Sequence, residues 1–89
     1  MGLDTVEIVL WAEKEFDLQL PDVEVSQIYT VGEFSDYLQQ KLRTKHGFKP
    51  CPSNEHIFNK IKAMLIKDYA VSENKITRDA KFIDDLNLQ

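Results

Sequence analysis

Residues 2–38, GLDTVEIVLWAEKEFDLQLPDVEVSQIYTVGEFSDYL, decide the fold. Ile8, Ala12 and Phe16 recur every fourth residue with Val6 and Val9 beside them, which predicts an amphipathic helix from about Leu3 to Phe16. Gly2 is its expected N-cap, and Asp4 and Glu7 fall in the first turns, where the helix dipole favours negative charge. Leu10 and Trp11 carry the apolar surface further round than one core needs, and Trp11 is expected to cover a neighbouring helix or loop. The run Leu18-Gln19-Leu20-Pro21-Asp22 ends the helix, because the residue before a proline is pushed out of helical geometry. Asp22 to Gln27 is short enough for one helical turn, with Val23, Val25 and Ile28 pinning it to the core. Thr30-Val31-Gly32-Glu33 then has the form of a capping box, in which threonine hydroxyl and glutamate carboxylate each satisfy a free backbone amide. A second helix is predicted from Val31 to about Leu42, with Val31, Phe34, Leu38 and Tyr37 inward.

Working outward from this stretch, residues 43–52, RTKHGFKPCP, read as a linker: one glycine, two prolines, basic side chains and no periodicity. His46 is expected to be a solvated loop histidine. Ser53 or Asn54 should cap a third long helix reaching about Tyr69, whose core face is Ile57, Ile61, Met64 and Leu65, with Phe58 and Tyr69 beside them. Lys60, Lys62 and Lys67 take its wet side. Residues 70–89 read as a long loop or a set of short turns anchored by Val71, Ile76, Phe82, Ile83 and Leu86, with Thr77 or Asp79 able to cap one turn.

The chain of 89 residues reads as one small domain, 43% hydrophobic and 29% charged, which is an ordinary globular composition. No apolar run approaches the roughly 18 residues needed to span a bilayer, and MGLDTVE lacks the basic start of a secretory leader, so a cytoplasmic protein without a membrane role is expected. Cys51 has no cysteine partner and no ligand spacing around it, so it is expected to be a reduced thiol, and no metal site is predicted. The net charge of −4 is unevenly spread. Residues 1–40 hold nine carboxylates against Lys14, residues 41–52 are basic, and residues 53–89 balance six against six. An acidic opening segment repels phosphate, which disfavours nucleic acid, and attracts basic proteins. Phosphate-binding glycine loops, HExxH and GxSxG are all absent. Adjacent carboxylates such as Asp84 and Asp85 belong to soluble loops, where they do not acquire the buried environment that acid catalysis needs. No catalytic residues, and no enzyme, are expected.

Leu3-Asp4-Thr5-Val6-Glu7-Ile8-Val9, Glu13-Lys14-Glu15-Phe16-Asp17, Leu20-Pro21-Asp22 and Ile28-Tyr29-Thr30-Val31 together resemble the acyl carrier protein family, whose pattern runs DSLDxVELVM, EEEF, IPD and ITTV. The resemblance needs no gap over about forty residues. Residues 53–89 also resemble that family, but its beginning: Ile57 to Tyr69 looks like its first helix, and Thr77-Arg78-Asp79-Ala80-Lys81-Phe82-Ile83-Asp84-Asp85-Leu86 like the segment that leads to the modified serine. Joining Gln89 to Gly2 gives Asp85-Leu86-Asn87-Leu88-Gln89-Gly2-Leu3-Asp4, in register with the family's DLGxDSLD. The implied architecture is an all-α, three- to four-helix acyl-carrier-like bundle in permuted order. Residues 1–42 would be helices II to IV of the family, 43–52 the linker, and 53–89 helix I with its following loop. Ten linker residues at up to about 3.3 Å each reach across one end of such a bundle.

The resemblance implies a carrier of acyl groups for fatty acid biosynthesis or related lipid metabolism. In the family a serine holds 4'-phosphopantetheine, and Gly2 occupies that position here, so no phosphopantetheine is expected on this chain. Gln89 likewise replaces the aspartate that usually precedes the serine. By the same resemblance Asp4, Glu7, Glu13 and Asp22 would face partners, with Lys14 interrupting the acidic run, and Val6, Val9, Leu10 and Ile28 would line the acyl groove. The implied partners are the basic surfaces of acyl-carrier-dependent enzymes and phosphopantetheinyl transferase, met as a monomer or as a helix-swapped dimer. Three readings stand: an unloadable carrier scaffold, an unmodified module that docks basic proteins, and a helical domain that binds a free acyl chain.

Overall fold

A computed structural model describes residues 3–47 and 53–88. Four helices follow one another: α1 (Leu3–Phe16), α2 (Asp22–Val25), α3 (Val31–His46) and α4 (Asn54–Tyr69). A 3₁₀ turn at Glu73–Lys75 interrupts the final loop. Among the described residues there is no strand, only a single antiparallel bridge between Thr30 and Lys81. The architecture is thus all-α, within principal extents of 37 × 26 × 20 Å.

The periodic positions become the core. Ile8, Val9 and Ala12 of α1, Val31, Phe34, Leu38 and Leu42 of α3, and Ile57, Ile61, Met64 and Leu65 of α4 are buried in one cluster. Helix α3 packs along α4. The pair is pinned at one end by the buried Ser35, whose hydroxyl donates to Asn54 Oδ1 at 3.0 Å. Asn54 in turn donates to Asp36 and Gln39 and accepts from Arg78, whose guanidinium also reaches Asp36 at 2.8 Å. Trp11 is half-buried, packs against the core cluster and meets Phe16 of its own helix edge-on, with ring centroids 5.9 Å apart.

The caps explain where the helices start. Thr30 Oγ1 accepts from Glu33 N at 3.1 Å while Glu33 Oε1 accepts from Thr30 N at 3.0 Å, the reciprocal capping box. Ser53 caps α4 by accepting from His56 N. The Gly2 cap of α1 lies outside the described residues.

Three expectations are corrected. Helix α3 does not stop at Leu42 but continues to His46, so the linker does not begin at Arg43 and His46 is not a loop residue. Nothing between Arg43 and His46 breaks a helix. Thr44 Oγ1 donates to the carbonyl of Gln40, Lys45 pairs with Asp17 at 2.7 Å, and basic side chains suit a helix C-terminus. The break comes at Gly47, whose φ of 63° favours glycine and whose amide closes on Arg43 O. The remaining linker residues, including Cys51, lie outside the described set. Ile83 is not a core anchor, being 56% exposed. The turn from Phe82 to Leu86 puts those two residues inward and leaves Ile83 on the outer side, while Ala80 and Leu88 serve as anchors instead. The short helix α2 covers only Asp22–Val25, not the stretch to Gln27, and its Val23 is 75% exposed, so Val25 alone of the four enters the core.

Candidate functional site

The loop after α4 is laid across the start of α3. Val31 N donates to Ala80 O at 3.0 Å, Gly32 N to Arg78 O at 2.9 Å, and Phe82 N to Tyr29 O at 2.9 Å. The first amides of a helix have no partner within it, and here the loop's carbonyls supply two. The approach is close enough that a Cβ on Gly32 would stand 2.8 Å from Arg78 O. Phe82 is thereby delivered edge-on to Phe34, with centroids 5.9 Å apart.

Between this loop, α1 and α2 lies a cavity of about 670 Å³ with a predominantly apolar lining. Its α1 wall is Thr5, Ile8 and Val9. Val25, Ser26, Ile28 and Tyr29, from α2 and the turn after it, form the second wall. Glu33 and Phe34 of α3 contribute beside the Lys81–Asp84 turn. The size falls within the ~300–1,000 Å³ of small-molecule sites, and the composition suits a hydrocarbon chain. Among the described residues no group of three or more His, Cys, Asp or Glu is placed to hold a metal ion. No described helix is long and apolar enough to cross a membrane.

Of the groove residues expected from the sequence, Val9 and Ile28 line the cavity, whereas Val6 and Leu10 do not. Val6 and Leu10 lie four residues apart on the neighbouring stripe of α1 and are 38% and 57% exposed. Thr5, Ser26, Phe34 and the Lys81–Asp84 turn also line the cavity, and no sequence pattern marks them for that place. Thr5 and Lys81, far apart in sequence, line one cavity, and such a meeting leaves no periodic trace to read. Gly32, a poor helix former placed inside the first turn of α3, is the one local sign that another backbone passes there.

The four acidic positions are not equivalent. Glu7 is exposed and accepts from Tyr69 Oη at 3.2 Å, joining α1 to the end of α4. Burial, reinforced by that hydrogen bond, pushes the Tyr69 hydroxyl up to about 12. Asp22 is exposed at the start of α2, and Asp4 is half-buried in the first turn of α1. Glu13 is turned to internal use: its Oε2 accepts from Leu20 N at 3.1 Å, holding the turn that leads to Pro21. Two backbone amides, of Tyr29 and Thr30, hold the Glu33 carboxyl below the ordinary glutamate value. Gly2 lies outside the described residues.

Fold and cavity define a small helical bundle with an apolar chamber between α1, α2 and the final loop. Two acyl carrier proteins, from Porphyromonas gingivalis strains ATCC 33277 and W83, are each 44% identical to this chain over 42 residues. The matched stretch is 47% of this chain and 54% of each relative, so the chain spans about half the length of the curated relatives it matches. No family model and no solved structure matches the chain. The half-length matches support an acyl-carrier-like relationship, and the relatives are named for carrying rather than for catalysis.

Proposed function

We propose that this chain is an acyl-carrier-like scaffold whose two halves stand in the reverse of the family's order and whose attachment position, Gly2, cannot be loaded. The observation that carries the reading is the shared cavity. Thr5, Ile8 and Val9 near the start of the sequence and the Lys81–Asp84 turn near its end line one apolar chamber. In the family's pattern those two segments are consecutive, so their meeting in space is what the reversed order requires. The related carriers would move acyl groups on 4'-phosphopantetheine in fatty acid or related lipid synthesis; here the alcohol that must attack the pyrophosphate of coenzyme A is missing. Under this reading residues 1–89 are one domain, with α1 to α3 as the family's later helices and α4 as its first.

Asp4, Glu7 and Asp22 are the side chains best suited to meet basic surfaces of acyl-carrier-dependent enzymes or of phosphopantetheinyl transferase in the cytoplasm, with Glu13 committed to its turn. The test is mass spectrometry after incubation with coenzyme A and a phosphopantetheinyl transferase. The unaltered chain should gain no mass and Gly2→Ser should gain one phosphopantetheine. A mass gain on the unaltered chain overturns the reading. The cavity itself favours a second reading, noncovalent binding of a free acyl chain, for which no attachment residue is needed.

A further inference from the structure

Among the described residues Lys81 is the one lysine in the lining of the apolar cavity. Its backbone is held from both sides. The amide donates to Asp85 Oδ2 at 2.8 Å, and the carbonyl accepts from Asp85 N at 3.0 Å and from Leu86 N at 3.1 Å. The residue also forms the antiparallel bridge to Thr30. Its side chain, by contrast, is uncommitted. Lys41, Lys45, Lys60 and Lys62 are each paired with a carboxylate, whereas the Lys81 ammonium makes no ion pair or hydrogen bond among the described residues. The other polar groups of the lining compete poorly for an electrophile. The Glu33 carboxylate already accepts from two backbone amides and the Thr30 hydroxyl, and the hydroxyls of Thr5 and Ser26 are weak nucleophiles without an adjacent base. An amine on an anchored stem therefore stands at the edge of a chamber suited to hydrocarbon.

We propose that Lys81 is an acylation site: a free acyl thioester lays its chain in the cavity and transfers its acyl group to the Lys81 ε-amine. The ammonium first gives one proton to solvent. The neutral amine then forms a C–N bond at the thioester carbonyl, the C–S bond breaks, and the sulfur leaves as a thiol carrying a second proton from the nitrogen. An amide and a free thiol are the products, with no further reactant needed. Proximity supplies the selectivity, because a bound chain holds its carbonyl beside this amine while other lysines meet it only by collision. The inference rests on the second reading above, noncovalent binding of an acyl chain, and not on whether Gly2 can be loaded.

The experiment incubates the full chain with S-octanoyl-N-acetylcysteamine, an uncharged thioester, and locates the adducts by peptide mass spectrometry. Lys14, Lys67 and Lys75 are exposed and lie outside the cavity lining, so they are internal controls. Octanoyl should accumulate on Lys81 at least about tenfold faster than on any of them. Lys81→Arg, which keeps the charge and every backbone bond, should lose that fast adduct. The acetyl thioester of the same thiol is too short to use the cavity and should label the lysines without preference. Even labelling by the octanoyl reagent, or an equal preference for Lys81 with the acetyl reagent, overturns the proposal. 1-Octanol, which binds without reacting, keeps two failures apart. Shifts of the Ile8 and Val9 methyl signals on adding it, with no preference for Lys81, overturn the acylation alone; absence of those shifts overturns the chain-binding reading together with it. Octanoyl and phosphopantetheine adducts differ in mass, so loading at position 2 is decided separately.

Discussion

Gly32→Ala puts the docking of the final loop to a test in which even the sign of the outcome is informative. On propensity alone the change should stabilise α3, because alanine exceeds glycine by up to about 1 kcal/mol in a helix. The structure predicts the opposite. The added Cβ would sit 2.8 Å from Arg78 O and 3.0 Å from Arg78 Cβ, and the first of these atoms is backbone, which cannot rotate away. The loop must lift, and with it go the hydrogen bonds Gly32 N to Arg78 O, Val31 N to Ala80 O and Phe82 N to Tyr29 O. At about 0.5–1.5 kcal/mol each, losing two or three costs roughly 1–4.5 kcal/mol, so the net destabilisation after the propensity gain reaches up to about 3.5 kcal/mol. For a domain of this size each kcal/mol moves Tm by about 4–8 °C, so a lowered Tm is expected. Urea and thermal melts followed by circular dichroism measure it. A variant more stable than the parent would refute the close approach, and with it the placement of Lys81 to Asp84 on the cavity.

Other outcomes follow from single contacts. Ala70, the C-cap of α4, is held at φ 53°, a left-handed conformation costing an L-residue about 1–2 kcal/mol, whereas glycine there gives up about 0.5–1 kcal/mol of chain entropy, so Ala70→Gly should raise the urea midpoint slightly; a lowered midpoint would contradict that backbone. Tyr69 holds its proton to about 12 against an ordinary 10.0, so its contribution is complete below pH 10 and declines as pH rises toward 12. The stability gap between the parent and Tyr69→Phe should therefore narrow over that window in denaturant titrations, and a gap independent of pH would deny the Glu7 bond a role. Reversing Asp4 and Glu7 to lysine in the Gly2→Ser background should weaken transferase docking and flatten its salt dependence, as surface steering requires; docking that persists unchanged would remove the acidic face from the proposed interface.

Local rules carried most of the fold. The capping box at Thr30 and Glu33, the proline at 21 and the fourfold spacing from Ile8 to Phe16 each describe an element in which neighbours in sequence are neighbours in space, and those elements form. The end of α3 is not legible locally, because polar residues without an apolar stripe look like a linker, while a helix past its last core residue, Leu42, needs no further apolar face. It continues on the strength of Thr44, Lys45 and the dipole until Gly47 ends it. Ile83 failed for a related reason: hydrophobicity marks a candidate anchor, but a turn allows only some of its side chains inward, and Phe82 and Leu86 took those places. The cavity was legible only in part. Val9 and Ile28 share it, yet the residues completing it are brought by tertiary contacts across most of the chain. The Asn54 node linking Ser35, Asp36, Gln39 and Arg78 was invisible for the same reason.

A bundle assembled from such contacts can accommodate the reversed order proposed for it, because the segment nearest the chain's end does not depend on a covalent link to α1. Residues 76–88 are held by buried Ile76, Ala80, Phe82, Leu86 and Leu88, by the amides of Val31 and Gly32, and by the closure of Leu88 N onto Phe82 O at 2.9 Å. Under the proposed order, the cavity walls would keep their anchors on helices and in the core with no covalent link from residue 89 to residue 2. Two requirements for loading are thereby separated: an alcohol at position 2, and a backbone there held in the geometry a transferase accepts. If Gly2→Ser alone restores loading, the bundle supplies that geometry without the link. If it does not, the same substitution in a chain where Gln89 is joined to Gly2 should, and failure of both would place the defect in the partner-facing surface instead.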